Sequence, residues 1–116
     1  MTKTAAIRNN AQEAPPLREQ IWLVQAAVAH VTGVSLTDLC ASTRRCPRVA
    51  FARQIAMYLS HVVFHMRLSD VARAFGRDCS TVAYAFHRIE ELREDPELDR
   101  TLAWLEAMLR RTARDA

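Results

Sequence analysis

An all-α, multi-helix domain is predicted by three features of this sequence. Half of its 116 residues are hydrophobic, only two are glycine, and the apolar positions recur at helical rather than alternating spacing. One domain with a single modest core is the expectation for this length. A sheet and a phosphate-cradling glycine loop are both disfavoured by the shortage of glycine.

Residues 1–16 mix Thr, Asn, Gln and Ala and end in Pro15-Pro16, which predicts a flexible N-terminal tail. From Leu17 to Thr32, the residues Leu17, Ile21, Val24, Val28 and Val31 keep one helical face, and Gly33 stops the run. Ser35 heads a second, short helix with S-x-x-D spacing to Asp38, and Leu36 and Leu39 are expected to point inward. The pattern then breaks into CASTRRCPRVAFARQ, with Pro47 suited to the first turn of a third helix. Val49, Ala52, Ile55, Ala56, Leu59, Val62 and Val63 form the buried stripe of that helix, flanked by Met57 and Tyr58.

The stretch from Ser69 to Leu92 reads as two helices around a break. Val71, Ala72 and Phe75 share a face of the first, and Val82, Ala85, Phe86, Ile89 and Leu92 share a face of the second. Gly76 tolerates positive φ between them, and Asp78 or Cys79-Ser80 caps the second helix. This describes a helix-turn-helix, or equally a plain αα-hairpin. A last helix starts at Asp95-Pro96-Glu97, with Leu98, Leu102, Leu105 and Leu109 in one line and Trp104 and Met108 beside it. It either folds back on the domain or promotes a homodimer. Residues 95–116 are therefore set apart from a DNA-binding unit at 17–94.

Catalytic chemistry finds little support, and no enzyme is expected. His61 and His65 are an i, i+4 pair without the glutamate of H-E-x-x-H or a third ligand. G-x-x-x-x-G-K-[ST] is missing, so no nucleotide and no other cofactor is expected. Cys40, Cys46 and Cys79 contain no C-x-x-C pair and read as reduced thiols, with Cys79, at a helix start, either a neutral contact residue, the favoured reading, or an oxidation-sensitive thiol. No apolar core resembling a signal peptide precedes Ile21, and no run of eighteen apolar residues could span a bilayer, so a cytoplasmic, nucleoid-associated protein is expected.

DNA binding gathers more support. The formal charge is +3, and fifteen of the sixteen basic residues are arginine, the side chain suited to bidentate phosphate and guanine contacts. Arg44, Arg45 and Arg48 cluster in the loop, Arg53 and Gln54 follow on the third helix, and Arg77, Asp78, Cys79, Ser80 and Thr81 open the second helix of the hairpin. If the helices pack as expected, all ten approach one duplex.

These residues also carry a resemblance. Arg53-Gln54-Ile55-Ala56-Met57-Tyr58-Leu59, Leu68 to Asp78, Ser80-Thr81-Val82 and Arg88-Ile89-Glu90-Glu91-Leu92 resemble the C-terminal DNA-binding domain of DnaA, the bacterial chromosomal replication initiator. Val34 to Leu39 fits the same family, and the resemblance runs from about Ile21 to Glu94. It implies a helical domain that recognises A/T-rich boxes in double-stranded DNA. Arg45 or Arg44 would enter the minor groove, Arg53 and Gln54 would lie at the major-groove edge, and Asp78 to Val82 would begin the recognition helix.

Three departures stand out. Cys79 replaces the family's usual histidine, Gly76 stands alone where two glycines are common, and the basic loop is a residue longer, with Phe51 where a further arginine is common. An altered base contact is worth about 1–3 kcal/mol, enough to shift the preferred sequence while phosphate binding survives. The initiator's ATPase module has no counterpart here, so no ATP-dependent filament is expected, and the last helix reads as an addition to the family domain. The resulting expectation is a sequence-specific regulator of transcription or modulator of replication initiation. The alternative is a protein-interaction adaptor that uses the leucine face of the last helix.

Overall fold

The computed structural model describes residues 17–41 and 46–115. The expected tail at 1–16, together with Arg44 and Arg45, lies outside the described residues. Six helices follow one another: α1 (Leu17–Thr32), α2 (Leu36–Cys40), α3 (Pro47–Phe64), α4 (Leu68–Phe75), α5 (Cys79–Leu92) and α6 (Pro96–Asp115). No strand occurs among the described residues.

Local chemistry explains the boundaries. Gly33, at φ 77°, turns the chain out of α1 and donates its N–H to the Ala29 carbonyl at 2.9 Å. Ser35 caps α2 by accepting from the Asp38 N–H at 3.1 Å. Pro47 occupies the first turn of α3, where its missing N–H costs nothing. Asp95 caps α6 by accepting from the Leu98 N–H at 3.3 Å, with Pro96 next in line.

Helix α3 is the axis of the fold and packs against the other five helices. Between Ala52 and Ser60 only Gln54 is not buried, so α3 is covered all round rather than along one stripe. Met57 and Tyr58, expected to flank the stripe, are 2% exposed and lie within it. Two clusters divide the interior. Val24 and Val28 of α1, Ile55 and Leu59 of α3, Ile89 of α5 and Leu102, Leu105 and Leu109 of α6 share the larger one. Ile21, Met57, Met66, Val71, Ala72, Val82 and Ala85 form the smaller one, beneath α4 and α5. On α2 only Leu39 turns inward. Leu36 is 37% exposed, because a helix this short presents one apolar position to its neighbours.

Of its two expected courses, the last helix takes the first and folds back on the domain. Leu102, Leu105 and Leu109 are at most 1% exposed and belong to the same core as α1 and α3. The face expected to pair with a second copy, or to hold a partner, is therefore consumed within the fold. α6 is also part of the domain core rather than a segment apart from it. A network centred on Arg93 ties it down. Arg93 Nη1 donates to Glu106 Oε2 at 2.6 Å and to the Tyr58 hydroxyl at 2.9 Å, while Nε donates to Asp99 at 2.7 Å. Tyr58 in turn donates to Glu90 at 2.8 Å. One guanidinium thus joins α3, α5 and α6.

Replacing Arg93 with methionine leaves the Glu106 carboxylate, 12% exposed, without its cation. Urea denaturation of Arg93→Met should show a loss of about 2–4 kcal/mol. Asp99→Asn, at a carboxylate that is 52% exposed, should change stability by less than about 0.5 kcal/mol. The network also sets an alkaline limit. Burial, opposed by the Arg93 hydrogen bond and reinforced by Glu90, raises the Tyr58 phenol from 10.0 to about 12. The fold favours the neutral phenol, so this stabilisation is complete below pH 10 and disappears as the pH rises to about 12. Denaturation midpoints should fall across that interval, and Tyr58→Phe should flatten the fall.

Candidate nucleic-acid interface

The interface is built where three helix ends meet. Helix α4 stops at Gly76, whose φ of 63° reverses the chain. The Gly76 N–H reaches the Arg73 carbonyl at 3.3 Å, and the Arg77 N–H reaches the Ala72 carbonyl at 2.9 Å. Those two bonds close a glycine-capped helix end that does not need a second glycine. Three residues on, α5 begins, seated on the core by Val82, Ala85 and Ile89. On α4, Asp70 lies 3.2 Å from both Arg67 and Arg73, and the Arg67 hydrogen bond holds its carboxyl below the usual range.

Asp78, Cys79, Ser80 and Thr81 are all exposed at the start of α5. Asp78 occupies the N-cap position with extended backbone (φ −73°, ψ 153°), but its side chain makes no capping hydrogen bond. The first-turn N–H groups are therefore not covered by that carboxylate, and the positive end of the helix faces outward with two hydroxyls beside it. Such a terminus suits a phosphate oxygen. Cys79 is exposed and outside any disulfide, as are Cys40 and Cys46.

Arg53 departs most from its expected place. Its side chain is 5% exposed and turns into the protein rather than towards a groove. Nε donates to the Leu39 carbonyl at 3.1 Å, and Nη2 donates to the carbonyls of Asp38 at 2.9 Å and Ala41 at 3.2 Å. Arg53 is thus a clamp on the C-terminal end of α2, where unsatisfied carbonyls concentrate negative partial charge. Gln54, its neighbour, is half-buried. Arg77 joins the clamp, since its Nη2 donates to the same Ala41 carbonyl at 3.4 Å. That carbonyl therefore ties the end of α2 to the helix-turn-helix turn. Arg48 is exposed, with Nη2 on the Thr32 carbonyl at 3.2 Å.

Of the ten expected site residues, Asp78, Cys79, Ser80, Thr81 and Arg77 are brought together, with Arg48 anchored on the end of α1. Arg44 and Arg45 lie outside the described residues. Sequence reasoning missed the rest of the outer face of α5, where Tyr84, His87 and Arg88 are also exposed. The signal was present: with Val82, Ala85 and Ile89 inward, positions 80, 84, 87 and 88 must turn outward. The two helix histidines are structural or merely exposed. His61 Nδ1 donates to the Met66 carbonyl at 2.7 Å and its ring meets the edge of Phe86, while His65 is the exposed left-handed cap of α3 at φ 58°. No group of three metal-binding side chains occurs among the described residues, and no described helix is long and apolar enough to cross a membrane.

An open, polar helix start held by a closed glycine turn is the arrangement with which a helix-turn-helix meets DNA, and a DNA-binding helix-turn-helix domain is the class this chain defines. Comparison with known proteins narrows the class. The family model of the bacterial DnaA protein helix-turn-helix matches residues 21–89, and the chain belongs to that family. It is 41% identical over 101 residues to the chromosomal replication initiator protein DnaA of Mesorhizobium japonicum, covering 86% of this chain and 20% of that protein. The DnaA of Rickettsia akari is 42% identical over 73 residues, covering 62% of this chain and 16% of the relative. The chain thus spans a fifth or less of the length of these relatives.

The crystal structure of a DNA replication initiation factor is similar with a TM-score of 0.75 at 28% identity, over 93% of this chain and 32% of the other. Coverage that high cannot leave out a 20-residue helix, so the match reaches into α6, which the sequence alone suggested was an addition.

The clamp makes a separable prediction for two adjacent residues. Arg53→Met should lower stability to urea by about 2–4 kcal/mol by removing three charge-assisted hydrogen bonds to the end of α2. Gln54→Ala should leave stability within about 0.5 kcal/mol. Equal stability of the Arg53 variant and the unaltered protein would show that the clamp is idle.

Proposed function

We propose that this domain binds double-stranded DNA sequence-specifically and acts as a transcriptional regulator or a modulator of replication initiation. The start of α5 enters the major groove, where Ser80 and Thr81 reach base edges and phosphates and Cys79 takes the position of the family's histidine. Arg45 or Arg44 serves the minor groove from the basic loop, a role that rests on the family resemblance, and Arg48 neutralises phosphate beside it. The observation that carries the reading is the exposed N-terminus of α5, without a side-chain cap, beside the turn that Arg77 ties to the end of α2. Arg53 supports the head from within instead of touching DNA. No catalytic step is assigned to the domain.

The relatives are named as replication initiators. A domain with the same scaffold and a changed reading position would select related but different sites, because one altered base contact shifts preference by about 1–3 kcal/mol. The adaptor alternative loses its surface, since Leu102, Leu105 and Leu109 are buried.

In vitro selection from a random duplex library, followed by genome-wide binding, tests the proposal. Discrete enriched sites are expected, with Ser80→Ala weakening specific binding by about tenfold. Removing Arg45 or Arg48 should reduce the slope of log affinity against log salt by about one for each phosphate that is no longer neutralised. Uniform binding across the genome, with Ser80→Ala without effect, would refute sequence-specific reading by α5.

A further inference from the structure

The outward face of α5 carries one large aromatic side chain. Tyr84 is 60% exposed, on the face opposite Val82, Ala85 and Ile89. The other exposed aromatics of comparable size, Trp22 and Trp104, belong to α1 and α6. Single exposed aromatics are common on proteins. This one is distinguished by its register: it lies four residues beyond Ser80, three beyond Thr81 and four before Arg88. On a helix these residues form one line with about 6 Å between successive turns.

A ring in the middle of that line faces the groove between hydroxyls that can hydrogen-bond and an arginine that can meet phosphate. The apolar feature that bases display in the major groove is the C5-methyl group of thymine. We infer that Tyr84 is a specificity-determining residue whose ring packs on a thymine methyl. One helical turn beyond Ser80 corresponds to about two base pairs at 3.4 Å each, so the thymine lies about two base pairs from the base reached by Ser80-Thr81. This rests on the placement of α5 in the major groove proposed above. The ring, rather than the hydroxyl, makes the contact.

The test uses the full chain and the duplex recovered by selection, with each thymine replaced in turn by uracil, which lacks only the methyl group. At one position uracil should weaken binding about fourfold, the worth of one buried methyl. Tyr84→Ala should bind thymine and uracil equally there, and Tyr84→Phe should discriminate as the unaltered protein does. Circular dichroism checks that both variants keep their helices. A site bound tightly with uracil at every position overturns the inference while leaving the DNA reading intact. So does a Tyr84→Phe variant that loses as much as Tyr84→Ala, since the hydroxyl would then be the contact. Recovery of no preferred duplex overturns the major-groove reading, and this inference with it.

Discussion

The reading head depends on one buried cation. The Arg53 guanidinium lies almost out of solvent, and such a charge is tolerated only where hydrogen-bond acceptors replace water. The C-terminal carbonyls of α2 supply them, at Asp38, Leu39 and Ala41. The arrangement serves both partners. α2 has five residues, too few to be stable in isolation, and Arg53 adds to the donors at its end: the Asp38 carbonyl also accepts from the Ala41 N–H, and the Ala41 carbonyl also accepts from Arg77. Arg53 holds that short helix against α3.

The same carbonyl group links the two halves of the head. Ala41 accepts from Arg53 on α3 and from Arg77 in the turn before α5. The end of α2 and the turn before α5 are therefore referenced to one point. The smaller core beneath α4 and α5 supplies the seating, through Val71, Ala72, Val82 and Ala85. Arginines consequently divide by environment. Arg53 and Arg93 are enclosed by acceptors and hold helices together, whereas Arg88 and Arg48 are exposed to solvent, Arg48 with one nitrogen on the Thr32 carbonyl.

Much of this was legible in the sequence because local chemistry marks helix ends. Ser35, Pro47, Gly76 and Asp95-Pro96 each announce a boundary by a cap or a fixed dihedral angle, and each boundary lies where it was read. Three features were not legible. A periodic stripe says that a helix has a partner but not which one, so Leu102, Leu105 and Leu109 read equally well as a dimer face or as core. Burial on all sides has no period, so Met57 and Tyr58 looked like flanks of a stripe. Arg53 looked like a surface residue beside Gln54, because the acceptors that bury it lie 12 to 15 residues earlier in the chain.

The departures from the family pattern can now be separated by what they touch. Loss of one glycine falls on the scaffold, yet the turn still closes: Gly76 alone supplies the left-handed residue, and the bonds from Gly76 and Arg77 satisfy the end of α4. The residue after Asp78 falls on the surface instead, since Cys79 is exposed and packs into neither core cluster. A thiol there offers a weaker donor and acceptor than an imidazole. On the proposed reading, the hydroxyls of Ser80 and Thr81 and the ring of Tyr84 would then carry more of the discrimination. On that reading, a changed surface residue on an intact scaffold would alter the preferred sequence without costing the fold, because Cys79 belongs to neither core cluster.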